Sequence, residues 1–600
     1  MTAANPEASP AVALYRAVLP TRLRRGLARR VPVGLRSVVK RLLRGARFGF
    51  GPARALRARR ARGRWPHLVR EGEGLAVLVG TSARIALVRS TASPLGLREA
   101  NLELVVTALE RAGVDYFAVR GASDLRACFA VREEDRPRVA AALRACVRRA
   151  PVYVAPAGAE DAAAPGPHSP QAPQTLGGAA LGGSRRGRRT TGSAPVLRVG
   201  MVWRDPGGSL SLGLEYGCDL EFWQQEEGRL IAPRPNRVTS SVPVDAPRIT
   251  VPVNRLTAFC AHHARRTRQV RTVEPYTAAL PEDVRFPVDV VYTWVDGDDP
   301  DWQARRREQG GEGYHAESAN PARYLNRDEL RYSLRSVAQH APWARRIFLV
   351  TDRQRPHWLD ADHPRITVVD HREIFDDPAA LPTFNSHAIE SRLHHIDGLA
   401  EHFLYFNDDM FLGRPVTPQD FFLSNGMTRV FLSPAQIPRP GVAPGDRPVD
   451  AAGKNNRRLI EELFGTTLVQ KIRHAPYPLR RSVLSEMEER FAGPHRATAF
   501  SRFRSASDIS IPSSLYHYYA YLTGRAVPSD IAYAYLPLDR PGVERRLNIL
   551  LARRDRQAFC VNDTVSDGRD QERQERMLQG FLRSYFPVPG PFERKEFHDR

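Results

Sequence analysis

The chain has 600 residues, of which 42% are hydrophobic and 26% are charged, and its formal net charge is +23. A chain of this length exceeds the size at which one hydrophobic core keeps growing, so two or three domains are expected, and the composition argues against wholesale disorder. The five cysteines are far apart and form no C-x-x-C pair. They argue against a disulfide framework or a zinc site and fit a reducing cytoplasm.

The positive charge is concentrated at the N-terminus. Residues 1–70 carry eighteen Arg or Lys against Glu7 alone, which gives +17 and leaves +6 for the other 530 residues. The body is nearly balanced, so no nucleic-acid partner is expected. Two interpretations fit this Arg-rich arm: attachment to an anionic membrane surface, and a solvated basic arm with some helix. With no apolar run of about 18 residues and no signal-peptide pattern, we expect a cytoplasmic protein, with the arm at the inner face of the membrane.

Residues 71–280 are predicted to form a smaller accessory domain of the α/β or α+β class, because strand-like and helical patterns alternate there. Residues 155–195 are rich in Ala, Gly, Pro, Ser and Arg without periodicity, which predicts a disordered insertion. Asp219 and Glu221 share one side of a strand-like segment. We interpret them as a solvated strand face, with metal binding as the alternative.

From Phe286 onward the pattern changes to strand, turn and helix units with polar residues at the strand ends. Open α/β sheets bind ligands at the carboxyl ends of their strands, so these positions define the candidate site. Strands are predicted at 288–295, 347–350, 366–369 and 403–406, and they lead into Asp296, Asp352, Asp370-His371 and Asn407-Asp408-Asp409. Paired carboxylates supply the hard oxygen ligands that hold Mg²⁺ or Mn²⁺ against a pyrophosphate. An acidic turn without a ligand is the alternative.

Two predicted helices contribute candidate substrate-binding residues. Arg331 and Arg335 lie four apart on one helix face, where they either grip phosphate or are two exposed surface arginines. Asn385 and Glu390, at the start of a helix predicted around 387–399, are also assigned to substrate binding. Further along, four polar clusters follow in the order HAPYP from His474, FRSASD with Arg504, CVNDT with Asn562 and Asp563, and the segment 581–593.

Taken in order, these segments resemble the four conserved blocks of the Stealth family. The family includes bacterial capsular polysaccharide phosphotransferases and the catalytic subunit of the animal N-acetylglucosamine-1-phosphotransferase. DVVYTWVDGDDPDW resembles the first block, and ELRYSLRSVAQHAPWARRIFLVTD through FLYFNDDMF the second. HAPYPLRRSVLSEM through FRSASDIS resembles the third, and CVNDT with FLRSYFPVPGPFE the fourth. The resemblance covers residues 286–597.

The resemblance implies a Rossmann-like or glycosyltransferase-A-like catalytic domain. It also implies transfer of hexose-1-phosphate from a UDP-sugar to a glycan hydroxyl, with release of UMP, in capsular or extracellular polysaccharide biosynthesis. The matching positions imply catalytic Asp296, His474 and Arg504, and a Mg²⁺ or Mn²⁺ site at Asp408, Asp409, Asn562 and Asp563. His474 or Asp296 is the general base, with His474 slightly favoured. The alternatives are a metal-dependent glycosyltransferase that releases UDP and a non-enzymatic membrane- or nucleic-acid-binding protein.

Overall fold

The computed structural model describes residues 52–79, 82–157, 193–260, 268–310, 324, 326–562 and 571–598. Most of the predicted arm, nearly all of the predicted disordered insertion, and Asp563 lie outside the described residues. Within the described residues, no helix is long and apolar enough to cross a membrane.

The N-terminal half contains the following elements: α1 (Pro52–Arg64), α2 (Pro66–Arg70), β1 (Gly74–Val79), β2 (Ser82–Val88), α3 (Pro94–Arg111), β3 (Tyr116–Ala118), β4 (Ala127–Arg132), α4 (Arg136–Arg149), β5 (Tyr153–Pro156), β6 (Val196–Gly200), β7 (Trp203–Arg204), β8 (Ser211–Leu212), β9 (Cys218–Glu226), β10 (Arg229–Ile231), β11 (Ser241–Pro243), β12 (Ile249–Pro252) and β13 (Gln269–Thr272).

A mixed sheet forms the centre of this half. Five of its strands run in the order β11-β10-β9-β4-β3. Strand β6 also pairs with β9, and β5 pairs with β6. Helix α3 begins at its N-cap Ser93, whose hydroxyl accepts from the Gly96 N–H at 3.1 Å, and it turns Leu102, Val105 and Leu109 into the core. Helices α1 and α2 lie within the predicted arm, but they pack against β1 and β2.

Asp219 and Glu221 correct the prediction of a solvated strand face. Both side chains are buried on β9, and Asp219 pairs with Arg198 at 2.8 Å. Arg234 joins the two acids, at 2.8 Å from Asp219 and 2.7 Å from Glu221. Buried carboxylates require such partners, which the sequence spacing did not reveal.

The C-terminal half contains these elements: β14 (Val288–Thr293), α5 (Pro300–Gln309), α6 (Glu329–His340), β15 (Ile347–Thr351), β16 (Ile366–Asp370), α7 (His371–Ile374), α8 (Ser386–Glu390), β17 (His402–Asn407), β18 (Met410–Leu412), β19 (Thr428–Gln436), α9 (Pro448–Phe464), β20 (Gln470–Ile472), β21 (Tyr477–Arg480), α10 (Arg481–Arg490), α11 (Ala492–Ala499), α12 (Tyr516–Leu522), β22 (Ala526–Ser529), β23 (Tyr533–Pro537), α13 (Val543–Arg553), β24 (Ala558–Asn562) and α14 (Gln571–Tyr585).

A five-stranded sheet organises this half. Its order is β16-β15-β14-β17-β21, with the first four strands parallel and β21 antiparallel to β17. Fully buried Val290, Phe348 and Leu404 belong to its core, as expected for parallel strands covered on both faces. The chain starts at β14, runs outward to β16 and returns to the other side at β17, which creates a switch point beside β14. The predicted α/β, Rossmann-like class is confirmed.

Two three-stranded sheets, β18-β24-β23 and β20-β19-β22, complete this half. The first brings the end of β24 to the turn between β17 and β18, where the Val561 N–H donates to the Asp409 carbonyl at 3.1 Å. The helix predicted around 387–399 is shorter than expected, because α8 ends at Glu390 and a 3₁₀ turn follows at Leu393–His395. The two histidines of that turn contact Glu488 of α10 instead of continuing the helix.

Candidate active site

A cleft of about 2170 Å³ opens at the carboxyl ends of β14, β15 and β17. Its walls include Trp294 and Asp352 from the strand ends and Asn236 and Arg237 from the N-terminal half. The cleft also receives most of the polar residues predicted from sequence, namely Glu390, Asp408, Asp409, His474, Arg504 and Asn562. Both halves of the chain thus contribute to one ligand-sized space.

Asp409 is the centre of the polar network in the cleft. Its Oδ1 lies 3.3 Å from Nε2 of His474, and its Oδ2 accepts from the Asn562 amide at 2.9 Å and the Cys560 thiol at 3.2 Å. Burial acts to raise the pKa of Asp409, but the charge of His474 and these hydrogen bonds outweigh it, so the pKa is lowered. The carboxylate form is therefore stabilised at the site.

His474 is held on both ring nitrogens and through its backbone. Nδ1 lies 2.9 Å from the Tyr477 hydroxyl, and the Tyr533 hydroxyl donates to the His474 carbonyl at 2.6 Å. Burial acts to lower the pKa of His474, but the charge and hydrogen bond of Asp409 outweigh it, so the pKa is raised. The side chain is 31% exposed, which leaves the imidazole reachable from the cleft.

Asp408 adds a second carboxyl beside Asp409. Burial, followed by the charges of Glu329 and Asp409, raises the pKa of Asp408 well above its usual value. Burial likewise raises the pKa of Glu329 to about 7. Crowded acids at the cleft wall, together with the amide of Asn562, form the oxygen-rich donor set that suits Mg²⁺ or Mn²⁺, because a dication would offset their mutual repulsion. The residues present fit such an ion.

Glu390 projects into the same cleft from α8. Its Oε1 accepts from the Tyr405 hydroxyl at 3.2 Å, and its Oε2 lies 3.5 Å from the Ser513 hydroxyl. The Tyr405 hydroxyl also bonds Thr293 at 2.9 Å and accepts from the Asn407 amide at 3.2 Å. This tyrosine connects the ends of β14 and β17 to α8 and holds the Glu390 carboxyl in place.

Arg504 reaches the cleft from the loop after α11. One guanidinium nitrogen donates to the Ser386 hydroxyl at 2.6 Å, and its charge acts on His474 to lower the imidazole pKa. Asn385 supports this loop instead of contacting the cleft: it is fully buried, and its amide donates to Asp508 at 2.8 Å and to the Ser501 carbonyl at 3.1 Å. The substrate-binding prediction for Asn385 is therefore corrected to positioning.

Arg331 and Arg335 do not lie in the cleft. Both are buried and pair with Glu593, at 2.6 Å in each case, and Arg335 also donates to the Phe586 carbonyl at 2.9 Å. Glu593 thus pairs with both arginines and fastens the C-terminal segment to α6. The prediction that these arginines grip phosphate is corrected, because a partner more than 250 residues away already occupies them.

Asp296 lies in the turn after β14. Its carboxylate accepts from the Asp298 N–H at 3.1 Å, and its backbone bonds the side chain of Gln354. Among the described residues that line the cleft, Thr293, Trp294 and Val295 come from this strand end, and Asp296 is not one of them. The geometry gives Asp296 a turn-forming role and leaves His474 as the base candidate inside the cleft.

Sequence reasoning did not select Glu329, Tyr405, Tyr477, Tyr533 or Cys560 as site residues. Cys560 stands two residues before Asn562, so strand alternation places both side chains on the same face of β24, and this signal could have found it. Glu329 directly follows Asp328 at the start of α6, where a carboxylate is expected because it interacts favourably with the helix dipole. The sequence therefore contains no pattern that distinguishes Glu329 as a cleft residue.

Four family models match in chain order: Stealth protein conserved regions 1 (residues 286–313), 2 (323–430), 3 (473–521) and 4 (548–598). An exopolysaccharide phosphotransferase of Streptomyces coelicolor is 66% identical over 596 residues, which covers 99% of each chain. The chain belongs to the Stealth family. This confirms the resemblance predicted from the ordered motifs, and the alignment with this relative also covers the N-terminal half of the chain.

Two more distant relatives are also described as exopolysaccharide phosphotransferases. A second Streptomyces coelicolor exopolysaccharide phosphotransferase is 46% identical over 613 residues, covering 98% of this chain and 99% of the relative. The exopolysaccharide phosphotransferase CpsY of Mycobacterium tuberculosis is 37% identical over 525 residues, covering 86% and 92%.

Among solved structures, galactosyltransferase LgtC in complex with donor and acceptor sugar analogs matches 52% of this chain and 99% of its own, at 10% identity and a TM-score of 0.28. Apo mouse xyloside xylosyltransferase 1 matches 46% and 98%, at 9% identity and a TM-score of 0.25.

Proposed function

We propose that the chain is a sugar-phosphate transferase of exopolysaccharide biosynthesis. In this proposal it moves hexose-1-phosphate from a UDP-sugar to a hydroxyl of a glycan acceptor, forms a phosphodiester and releases UMP. The observation that carries it is the Asp409–His474 contact, with Asp408 and Arg504 in the same cleft at the end of a parallel sheet. The names of the relatives support the reaction class, since all three are described as exopolysaccharide phosphotransferases.

The reaction begins with attack of the acceptor oxygen on the β-phosphorus of the donor. The new bond joins that oxygen to phosphorus, and the bond to the oxygen bridging the two phosphates breaks, so both bonding electrons leave with UMP. His474 accepts the acceptor's proton. Its raised pKa, caused chiefly by Asp409 against the effect of burial, gives it affinity for that proton.

Charge on the transferred phosphoryl group is stabilised by the guanidinium of Arg504. Phosphoryl transfer depends mainly on positioning and electrostatic stabilisation, so a fixed arginine is well suited to the task. The Ser386 hydroxyl and the buried Asn385 amide hold the Arg504 loop in position. Glu390 lies in the same cleft, and we assign it to binding of sugar hydroxyls.

Asp408, Asp409 and Asn562 are the residues that would hold Mg²⁺ or Mn²⁺. When bound, such an ion supplies positive charge to the pyrophosphate oxygens. Asp563, which lies outside the described residues, belongs to the same proposed ligand set by its place in the CVNDT motif.

The deciding experiment identifies the nucleotide released when the protein is incubated with a UDP-sugar panel, a glycan acceptor and Mg²⁺. We expect UMP, together with a phosphodiester in the product by mass spectrometry. Release of UDP would replace this proposal with a glycosyltransferase. If neither nucleotide appears while the protein still binds vesicles or nucleic acid, the non-enzymatic alternative is favoured.

His474→Gln tests the role of His474 as the general base, because glutamine preserves hydrogen bonding but cannot take a proton near neutral pH. We expect UMP release to fall by about 10² to 10⁴ fold, the usual contribution of a general base. Unchanged release in His474→Gln would remove this residue from the chemistry.

A further inference from the structure

A second cluster of metal-binding side chains lies outside the cleft. The 3₁₀ turn Leu393–His395 supplies His394 and His395, and α10 supplies Glu488. Nε2 of His394 and Nε2 of His395 lie 2.6 and 2.8 Å from the same oxygen, Oε2 of Glu488. Two imidazole nitrogens and a carboxylate oxygen therefore converge on one point.

Hydrogen bonds account for this convergence only with one particular tautomer of each histidine. A neutral imidazole carries one N–H, so both Nε2 atoms can donate to Glu488 only if both Nδ1 atoms are bare lone pairs. Nδ1 of His394 is buried and has no hydrogen-bond partner among the described residues. Nδ1 of His395 faces Oδ1 of Asp376 at 4.0 Å, which is beyond hydrogen-bond distance.

The Nε2 atoms of His394 and His395 and the Oε2 atom of Glu488 lie within 4.8 Å of one another. With each ring proton on Nδ1, both Nε2 lone pairs are free to coordinate a metal ion together with Glu488. A neutral imidazole beside a carboxylate is the form that coordinates metal.

We propose that His394 Nε2, His395 Nε2 and Glu488 Oε2 form a Zn²⁺ site, with water completing the coordination. Two imidazoles with one carboxylate are a recurrent zinc ligand set, and this donor combination selects Zn²⁺ over Mg²⁺. The proposal stands apart from the phosphotransferase function, because none of the three side chains lines the cleft.

The surroundings supply the outer contacts that metal ligands require. Arg392 contacts the other oxygen of Glu488, and its second nitrogen lies 2.7 Å from Oδ2 of Asp376. Asp376 in turn faces Nδ1 of His395 at 4.0 Å, so Glu488 and His395 both have charged neighbours outside the proposed ligand set. Side-chain exposures of 28% for His395 and 27% for Glu488, against 3% for His394, leave one open side for an ion to enter.

The position of the site gives it a structural consequence. His394 follows Glu390 of the cleft by four residues, and α10 leads through α11 to the loop of Arg504. A metal bound by His394, His395 and Glu488 therefore connects the segments that carry two residues of the cleft. Zinc should act as a clamp that stabilises this side of the catalytic half.

The test is zinc binding by the full-length protein in excess Mg²⁺, measured by competition with a chromophoric chelator and by elemental analysis after dialysis. Because Asp409, His474 and Cys560 also bring three ligand atoms within 4.8 Å of one another, the measurement is made in a Cys560→Ser background. We expect about one Zn²⁺ per chain and a higher unfolding temperature with Zn²⁺. His395→Gln, chosen because the residue is partly exposed, should weaken binding by more than about 100-fold.

Glu486→Gln is the matched control. It removes a carboxylate from the same helix, but Glu486 pairs with Arg525 and Tyr519. This variant should bind Zn²⁺ as tightly as the parent. The proposal is overturned if the Cys560→Ser protein binds no Zn²⁺, or if His395→Gln binds it as tightly as Glu486→Gln does; the cluster would then be a proton-sharing network only.

Discussion

Two groups of charged residues, one joining α6 to the C-terminal segment and one in the cleft, show how partners decide what a charge does. In the first, Glu593 receives Arg331 and Arg335, and its pKa is lowered because their hydrogen bonds and charges outweigh burial. In the cleft, Asp408 and Glu329 have raised pKa values because burial is joined by neighbouring acids. In the first group each charge has a partner of opposite sign within the protein, whereas the second has an excess of acid that a cation can use.

The largest expected effect is on catalysis by the cleft group. Asp409→Asn keeps the size of the side chain but removes the negative charge that orients the His474 imidazole and raises its pKa. Loss of such an orienting carboxylate lowers the rate by about 10⁴ fold. We expect UMP release to fall on that scale while the unfolding temperature does not drop. An Asp409→Asn protein with near-normal release would place the essential carboxylate elsewhere.

Glu593→Gln tests the other group and should have the opposite profile. Removing one partner from a buried ion pair leaves uncompensated charge and costs about 3 to 5 kcal/mol of unfolding free energy. Chemical denaturation should show this loss, with the rate of the folded enzyme little changed. If stability holds and the rate collapses, Arg331 and Arg335 act on substrate after all.

Arg504→Lys retains the positive charge but loses the planar fork that bonds Ser386. Removing one preorganised stabiliser of transition-state charge costs about 10² to 10³ in rate. Steady-state UMP release should show the decrease in kcat more than in KM. An effect confined to KM would make Arg504 a ground-state binding residue.

A smaller effect concerns His340, at the C-terminal end of the helix that carries Arg331 and Arg335. Burial, with a contribution from Arg554, lowers the pKa of His340 to about 3, below the value of about 6.5 for the unfolded chain. The unfolded state binds more protons between these values, so stability falls as pH decreases from about 6.5. His340→Leu should flatten the decline by up to about 1.4 kcal/mol per pH unit; an unchanged slope in denaturation at pH 7 and 5.5 would contradict this.

The smallest effect is expected for Asp296→Asn. Asparagine can still accept the hydrogen bond from Asp298, so the turn is preserved, and the rate should stay within about tenfold of the parent. A loss as large as that of His474→Gln would return the role of general base to Asp296.

Much of the fold and part of the site could be predicted from sequence because their signals are local. The strand that leads into Asn407-Asp408-Asp409 and the helix that begins near Leu330 could both be predicted from side-chain periodicity. Errors occurred where local signals were ambiguous. Asp219 and Glu221 alternate with apolar residues, which is the pattern of a strand with one solvated face. In the folded protein both carboxylates are buried and pair with arginines from β6 and from the loop after β10.

By itself, the sequence determined the class of the catalytic half, the strand ends that carry its acids and the order of motifs that marks the family. Only the tertiary structure decided which charges are available to a ligand. Asp409 meets His474 across 65 residues, and Arg331 meets Glu593 across 262. A charge pattern is a local property of the chain, whereas neutralisation depends on partners that folding brings together. For this reason Asp409 and Arg504 remained candidates for catalysis, while Arg331 and Arg335 became part of the scaffold.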